Sequence, residues 1–161
     1  FKSTEGGAFR LKLMRDALNA DDLLIKYMSG STTNFDAYDV VKLSSPVLVS
    51  AWGNDSVHLA LSTRPLTTQN DTIKLYVSGS SGTYTMQFTN SNKIAIQDQV
   101  LLFDTYTNNV VDLKQNNSYS FNINTNTASS FGFNRFYIVV ANNNQLPVKL
   151  LTFTGKKEQP S

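Results

Sequence analysis

Phe9-Arg10-Leu11-Lys12-Leu13-Met14 sets Phe9, Leu11 and Leu13 at alternate positions, with Arg10, Lys12 and Met14 between them. That period of two is the signature of a strand with one face buried and the other wet. Leu23 to Met28 reads as a second strand. The polar run Asp16 to Asp22, centred on Asn19-Ala20-Asp21-Asp22, reads as the turn that joins the two into a hairpin.

The same reading extends outward along the chain. Val47 to Trp52 follows Pro46 and stops at Gly53-Asn54-Asp55. Val57, Leu59 and Leu61 alternate until Arg64-Pro65 breaks the strand. Ile73, Leu75 and Val77 form the next strand, then Tyr84, Met86 and Phe88. Val100 to Phe103 is continuously apolar, so it is expected to be buried on both faces. Val110 to Leu113 returns from a hairpin, and Tyr119, Phe121 and Ile123 follow. Phe136, Ile138 and Val140 make a core stripe, with Arg135, Tyr137 and Val139 on the other face. The Phe35 to Leu43 segment fits a short helical turn about as well as an extended one. About ten strands at this spacing predict an all-β fold, a two-sheet antiparallel β-sandwich of jelly-roll type. An immunoglobulin-like sandwich is the alternative, for which the strand count runs high.

Composition agrees. The 161 residues suit one domain. Charged residues make up only 16%, and 17 Asn, 17 Ser and 16 Thr take their place. Acid is carried by 10 Asp against 2 Glu, the turn former over the helix former. A net charge of +2 gives no reason to expect a nucleic-acid partner, and no apolar run approaches the length of a membrane span. With no cysteine, disulfides and thiolate chemistry are excluded. The chain opens at Phe1 without an initiator Met, and the expectation is a piece of a longer secreted protein. Residues 146–161 would then supply a last strand and a linker to a following domain.

Motifs for catalysis are missing from the sequence. There is no Gly-x-Ser-x-Gly elbow, no P-loop, no Gly-x-Gly-x-x-Gly and no His-Glu-x-x-His. His58, the single histidine, is expected as an exposed strand residue rather than a general base. No cofactor is expected to be required, and the protein reads as a non-enzyme. Two features point to binding. Asp36 and Asp39, with Asp22 as a third, offer loop carboxylates of the kind a structural Ca²⁺ site uses. The competing reading is that each Asp caps its own turn. Trp52, Tyr106 and Tyr38 lie at strand ends or in loops, where aromatic faces stack on sugar rings. The competing reading makes Trp52 a core anchor.

Several segments occur in a characteristic order: Phe9-Arg10-Leu11-Lys12-Leu13 to Asp21-Asp22-Leu23-Leu24-Ile25-Lys26, Thr33-Asn34-Phe35-Asp36, Gly82-Thr83-Tyr84-Thr85-Met86, Val100-Leu101-Leu102-Phe103-Asp104, Val111-Asp112-Leu113, Asn117-Ser118-Tyr119-Ser120-Phe121, Asn134-Arg135-Phe136 and Leu146-Pro147-Val148-Lys149-Leu150-Leu151-Thr152-Phe153. This succession, over roughly Ala8 to Lys157, resembles a β-rich module near the C-terminus of type IX-secreted, adhesin-like surface proteins of Bacteroidota. The resemblance implies a secreted, cell-surface location and a non-catalytic structural or adhesive role, and it supplies no catalytic residues. A carbohydrate-binding module with a polysaccharide partner is the second expectation. The third is a self-associating subunit that pairs through an edge strand such as Leu146 to Thr154.

Overall fold

The computed structural model describes residues 5–53, 55–66, 69–90, 94 and 98–141. The strands among them are β1 (Glu5–Asp16), β2 (Asn19–Met28), β3 (Val40–Val41), β4 (Leu48–Trp52), β5 (His58–Arg64), β6 (Asp71–Ser78), β7 (Gly82–Thr89), β8 (Gln99–Asp104), β9 (Asn109–Asp112), β10 (Ser118–Ile123) and β11 (Phe136–Ala141). A single 3-10 turn, Ala128–Ser130, is the helical structure among the described residues.

The fold is all-β, as the alternation predicts, but its strands are joined differently. Hydrogen bonds connect them in one path, β10-β7-β1-β2-β5-β4-β6-β11-β8-β9, with β3 added on β5. The result is one mixed sheet nearly closed into a barrel, in place of the two facing sheets of a jelly-roll or immunoglobulin-like sandwich. The pairing is not wholly antiparallel either: β2 runs parallel to β5, with Leu24 opposite Leu61 and Tyr27 opposite Arg64. Alternation identifies which face of a strand is inside. It does not say whether the inner faces belong to one wrapped sheet or to two opposed ones, and there the expectation fails.

The core is the inner face of that sheet. It is built from Phe9, Leu11 and Leu13 of β1, Leu23, Ile25 and Tyr27 of β2, Ile73, Leu75 and Val77 of β6, Tyr84, Met86 and Phe88 of β7, and Phe136 and Ile138 of β11. Val100 to Phe103 is buried throughout, as expected of a two-sided strand. The β1–β2 turn is tighter than its composition implies. Asp16 Oδ1 accepts the amides of Leu18 and Asn19 at 2.9 and 3.0 Å, which closes the hairpin at Ala17-Leu18. Asn19 to Asp22 are therefore strand, not turn. Segment 35–43 forms no helix; it is loop leading into β3. The proposed last strand, Leu146 to Thr154, lies outside the described residues.

The two ends of the sheet path are β9 and β10. Side chains bridge them: Tyr119 on β10 donates its hydroxyl to Asp104 Oδ2 at 2.8 Å and accepts from Asn109 Nδ2 at 3.3 Å. Behind that bridge Arg135 is 1% exposed and grips Asp104 with two hydrogen bonds of 2.8 Å. Its remaining nitrogen donates to the carbonyls of Asn122 and Ser130 at 2.7 and 2.6 Å. The sequence pattern put Arg135 on the outer face with Tyr137. The structure turns it inward, where the guanidinium stacks 4.8 Å from the rings of Phe121 and Phe136.

Candidate functional site

Directly paired residues on neighbouring strands share a face of the sheet. Following the register across the sheet, Val110 pairs with Phe103, Phe103 with Tyr137, Tyr137 with Lys74, Lys74 with Trp52 and Trp52 with His58. These six residues form one row across β9, β8, β11, β6, β4 and β5. The row lies on the outer face, because the inner positions alternate with it: Ile73 and Leu75 flank Lys74, and Ile138 follows Tyr137.

The rings in this row make contact. Phe103 and Tyr137 stack at 4.6 Å with planes 5° apart. Trp52 meets His58 edge-on at 4.5 Å and lies parallel to Phe133 at 5.4 Å. Tyr76 also meets His58 edge-on at 4.5 Å. Phe133 reaches Trp52 because Gly132 exchanges two backbone hydrogen bonds with Val77 at φ +93, a conformation that favours glycine. His58 is not the exposed strand residue expected. It is half-buried among rings, with Nδ1 2.8 Å from Ser50 Oγ, and burial pushes its pKa below the ordinary value.

Beside Trp52 opens a cleft of about 510 Å³, lined by Thr33, Trp52, Arg64, Asp71, Thr72 and Lys74 among others. Its charged wall is held rigidly. Arg64 donates Nε and Nη2 to the Asp71 carboxylate at 2.9 and 2.6 Å, and Tyr27 donates its hydroxyl to the same group at 2.7 Å. Burial first, and then the Asp71 charge, push the Tyr27 phenol well above its ordinary pKa, so it stays a donor. Threonine hydroxyls and one lysine supply the polar contacts, and Trp52 supplies a flat apolar edge.

The sequence-predicted residues are distributed unevenly around this site. Trp52 is in it, half-buried on the outer face rather than anchoring the core. Tyr38 is 50% exposed in the loop before β3, and Tyr106 is 45% exposed in the β8–β9 hairpin, its ring 4.9 Å from the Arg135 guanidinium. Among the described residues no ring contact links these three. Sequence reasoning missed Phe103, Phe133, Lys74 and Tyr76. Tyr137 was readable as outward-facing, but its neighbours across the sheet were not.

Asp36 and Asp39 are brought together, and their carboxylates build the loop that carries Thr33. Asp36 accepts the amides of Thr32 and Tyr38 at 2.8 and 2.9 Å. Asp39 accepts the amide of Asp36 at 2.9 Å and both the amide and hydroxyl of Thr63 at 2.7 and 2.8 Å. Burial raises the Asp36 pKa, but the donated amides outweigh it and leave it below the ordinary value. Asp22 is separate from them, 3.9 Å from Arg10. Among the described residues no group of three or more His, Cys, Asp or Glu is placed to hold one ion. Asp39→Ala is expected to cost about 1–3 kcal/mol, because it strips the Thr63 amide of its acceptor. Urea unfolding in calcium and in chelator checks this, with the same loss in both.

No protein-family model matches the chain, and no curated protein or solved structure matches it.

Proposed function

We propose that this protein is a non-catalytic, glycan-binding module with an adhesive role in a secreted cell-surface protein. The observation that carries the reading is the outer row of rings bordering the Trp52 cleft. Aromatic side chains normally bury their faces in a core. Here Trp52, Tyr76 and Tyr137 sit on the outer face, and Phe133 stacks on Trp52 while 43% exposed. A strip of rings beside hydroxyl and ammonium donors suits a ligand with apolar C–H faces and a hydroxylated rim, which describes a polysaccharide. The secreted, surface setting is supported by the Asn-, Ser- and Thr-rich composition and by the resemblance to type IX-secreted modules.

Purified protein is expected to be retained on one or more immobilised polysaccharides. Trp52→Ala should weaken that retention about tenfold, equivalent to ~1.4 kcal/mol. Running the assay with calcium and with chelator asks whether the Asp36 and Asp39 loop contributes. No retention on any glycan overturns the reading.

Self-association is the second reading, favoured by β3. Among the described residues it pairs only with β5, and its Val40 and Val41 are 51% and 48% exposed. Unpaired strand edges with apolar residues invite pairing with another chain. Sedimentation over a range of concentrations tests it: a growing dimer fraction abolished by Val41→Lys supports it, and a monomer throughout rejects it.

A further inference from the structure

We infer that the outer row selects acidic polysaccharides, with Lys74 reading their carboxylate or sulfate groups. This rests on the glycan-binding reading above and adds the class of glycan. Lys74 is exposed on β6, with Trp52 directly across on one neighbouring strand and Tyr137 directly across on the other. Neighbouring strands lie about 4.8 Å apart. Lys74 therefore stands between two aromatic residues, and its long side chain can reach the rim substituents of a sugar lying along the row.

The charge of Lys74 is not cancelled locally. Among the described residues its ammonium has no ion-pair or hydrogen-bond partner. The nearby acids are engaged elsewhere. Asp71 is held by Arg64 and Tyr27. Asp55 accepts the Phe35 amide at 2.7 Å. Asp104 is sealed inside with Arg135. Since the Arg64–Asp71 pair is neutral as a unit, Lys74 leaves the cleft with a net positive charge. An exposed cation flanked by aromatic residues complements a sugar that carries an anion on its rim. Hydrogen bonds to an ionised acceptor are roughly twice as strong as neutral ones, so the preference should fall on acidic over neutral chains.

Affinity electrophoresis of the purified protein tests this. The gels contain alginate or polygalacturonate as carboxylated probes, chondroitin sulfate as the sulfated probe, and laminarin or xyloglucan as neutral probes. The expected result is retardation in at least one acidic gel, weakened by added salt. Lys74→Gln should reduce it tenfold or more, and Lys74→Arg should retain most of it. The carboxylated and sulfated gels distinguish the two anions. Because Lys74 is exposed, both variants should melt like the parent protein. If Trp52→Ala abolishes retardation while Lys74→Gln matches the parent in every gel, the acidic selection is overturned and the glycan reading stands. Equal losses for Lys74→Gln in neutral and acidic gels overturn the charge argument in the same way. If no gel retards the parent protein, both readings fall.

Discussion

Arg135→Ala is expected to destabilise the protein by about 3–5 kcal/mol, the effect of leaving one member of a buried ion pair without its partner. Both side chains of the Arg135–Asp104 pair are 1% exposed, so water cannot replace the missing guanidinium. Four acceptors each lose a charged donor at once: the carbonyls of Asn122 and Ser130, and the two Asp104 oxygens, which keep the Tyr106 amide and the Tyr119 hydroxyl. Tyr119 would still donate to Asp104 and accept from Asn109, so those two bonds would be left to tie β10 to the β8–β9 hairpin. Urea unfolding with an unchanged slope and a lowered midpoint is the measurement. A loss below about 1 kcal/mol would show that the pair does not hold the sheet ends together. An Arg135→Met, Asp104→Leu double variant should recover much of the loss, since apolar replacement of a whole buried pair is often neutral or better.

The pair also predicts acid lability. Burial pushes the Asp104 carboxyl up, but the Arg135 guanidinium and the Tyr119 hydroxyl outweigh it and hold its pKa below the ordinary range. The unfolded chain therefore binds this proton more readily than the native one. Stability from the pair is complete above about pH 4 and is lost as pH falls through the lowered native value. Asp16 and Asp36 are lowered too and act in the same direction; for Asp16 the Asn19 side chain is the chief cause. His58 adds an earlier loss, beginning near pH 6.5, because burial makes its protonation harder in the native state. Arg135→Ala should remove the Asp104 share, so its stability should fall less than that of the parent protein as pH drops below about 4.

What was legible in the sequence divides along the range of the interactions. Phe9, Leu11 and Leu13 and their counterparts identified the inner face of nearly every described strand, because alternation is local. The Asp16 turn was misjudged because one carboxylate closes the hairpin within three residues, leaving Asp21 and Asp22 as strand residues, Asp22 exposed and Asp21 paired with Leu13 on the inner face. Asp21 there accepts the Val49 amide at 2.8 Å and the Lys42 ammonium at 2.9 Å. The sheet order was not legible, since the parallel β2–β5 pair and the β6–β11 pair join segments far apart in the chain. The candidate site depends on that order. Trp52 and Tyr137 become neighbours of Lys74 only once β4, β6 and β11 are placed side by side, so the sequence offered Trp52 alone. Arg135 followed alternation onto the wrong face because Phe136, where β11 begins, is the first residue to which the strand period applies.

Phe136→Ala is expected to cost about 3–5 kcal/mol as well, by a different route. Phe136 is 1% exposed and meets Phe121 edge-on at 4.7 Å. Removing its ring deletes apolar burial and leaves a cavity that the rigid strands around it cannot close. Tyr137 provides the contrast within the same strand: it is half-buried on the outer face, stacked on Phe103. Tyr137→Ala should therefore lower the urea midpoint much less than Phe136→Ala, while weakening retention on a polysaccharide that binds the outer row. If the two variants are equally destabilised, the assignment of inner and outer faces in β11 is wrong. The Phe136 ring also lies 4.8 Å from the Arg135 guanidinium. The double variant Arg135→Ala, Phe136→Ala should thus lose less than the two single losses added together, since each change removes part of what the other needs. Strict additivity would mean that the ring and the cation stabilise the sheet independently, and that their closeness in space carries no energy.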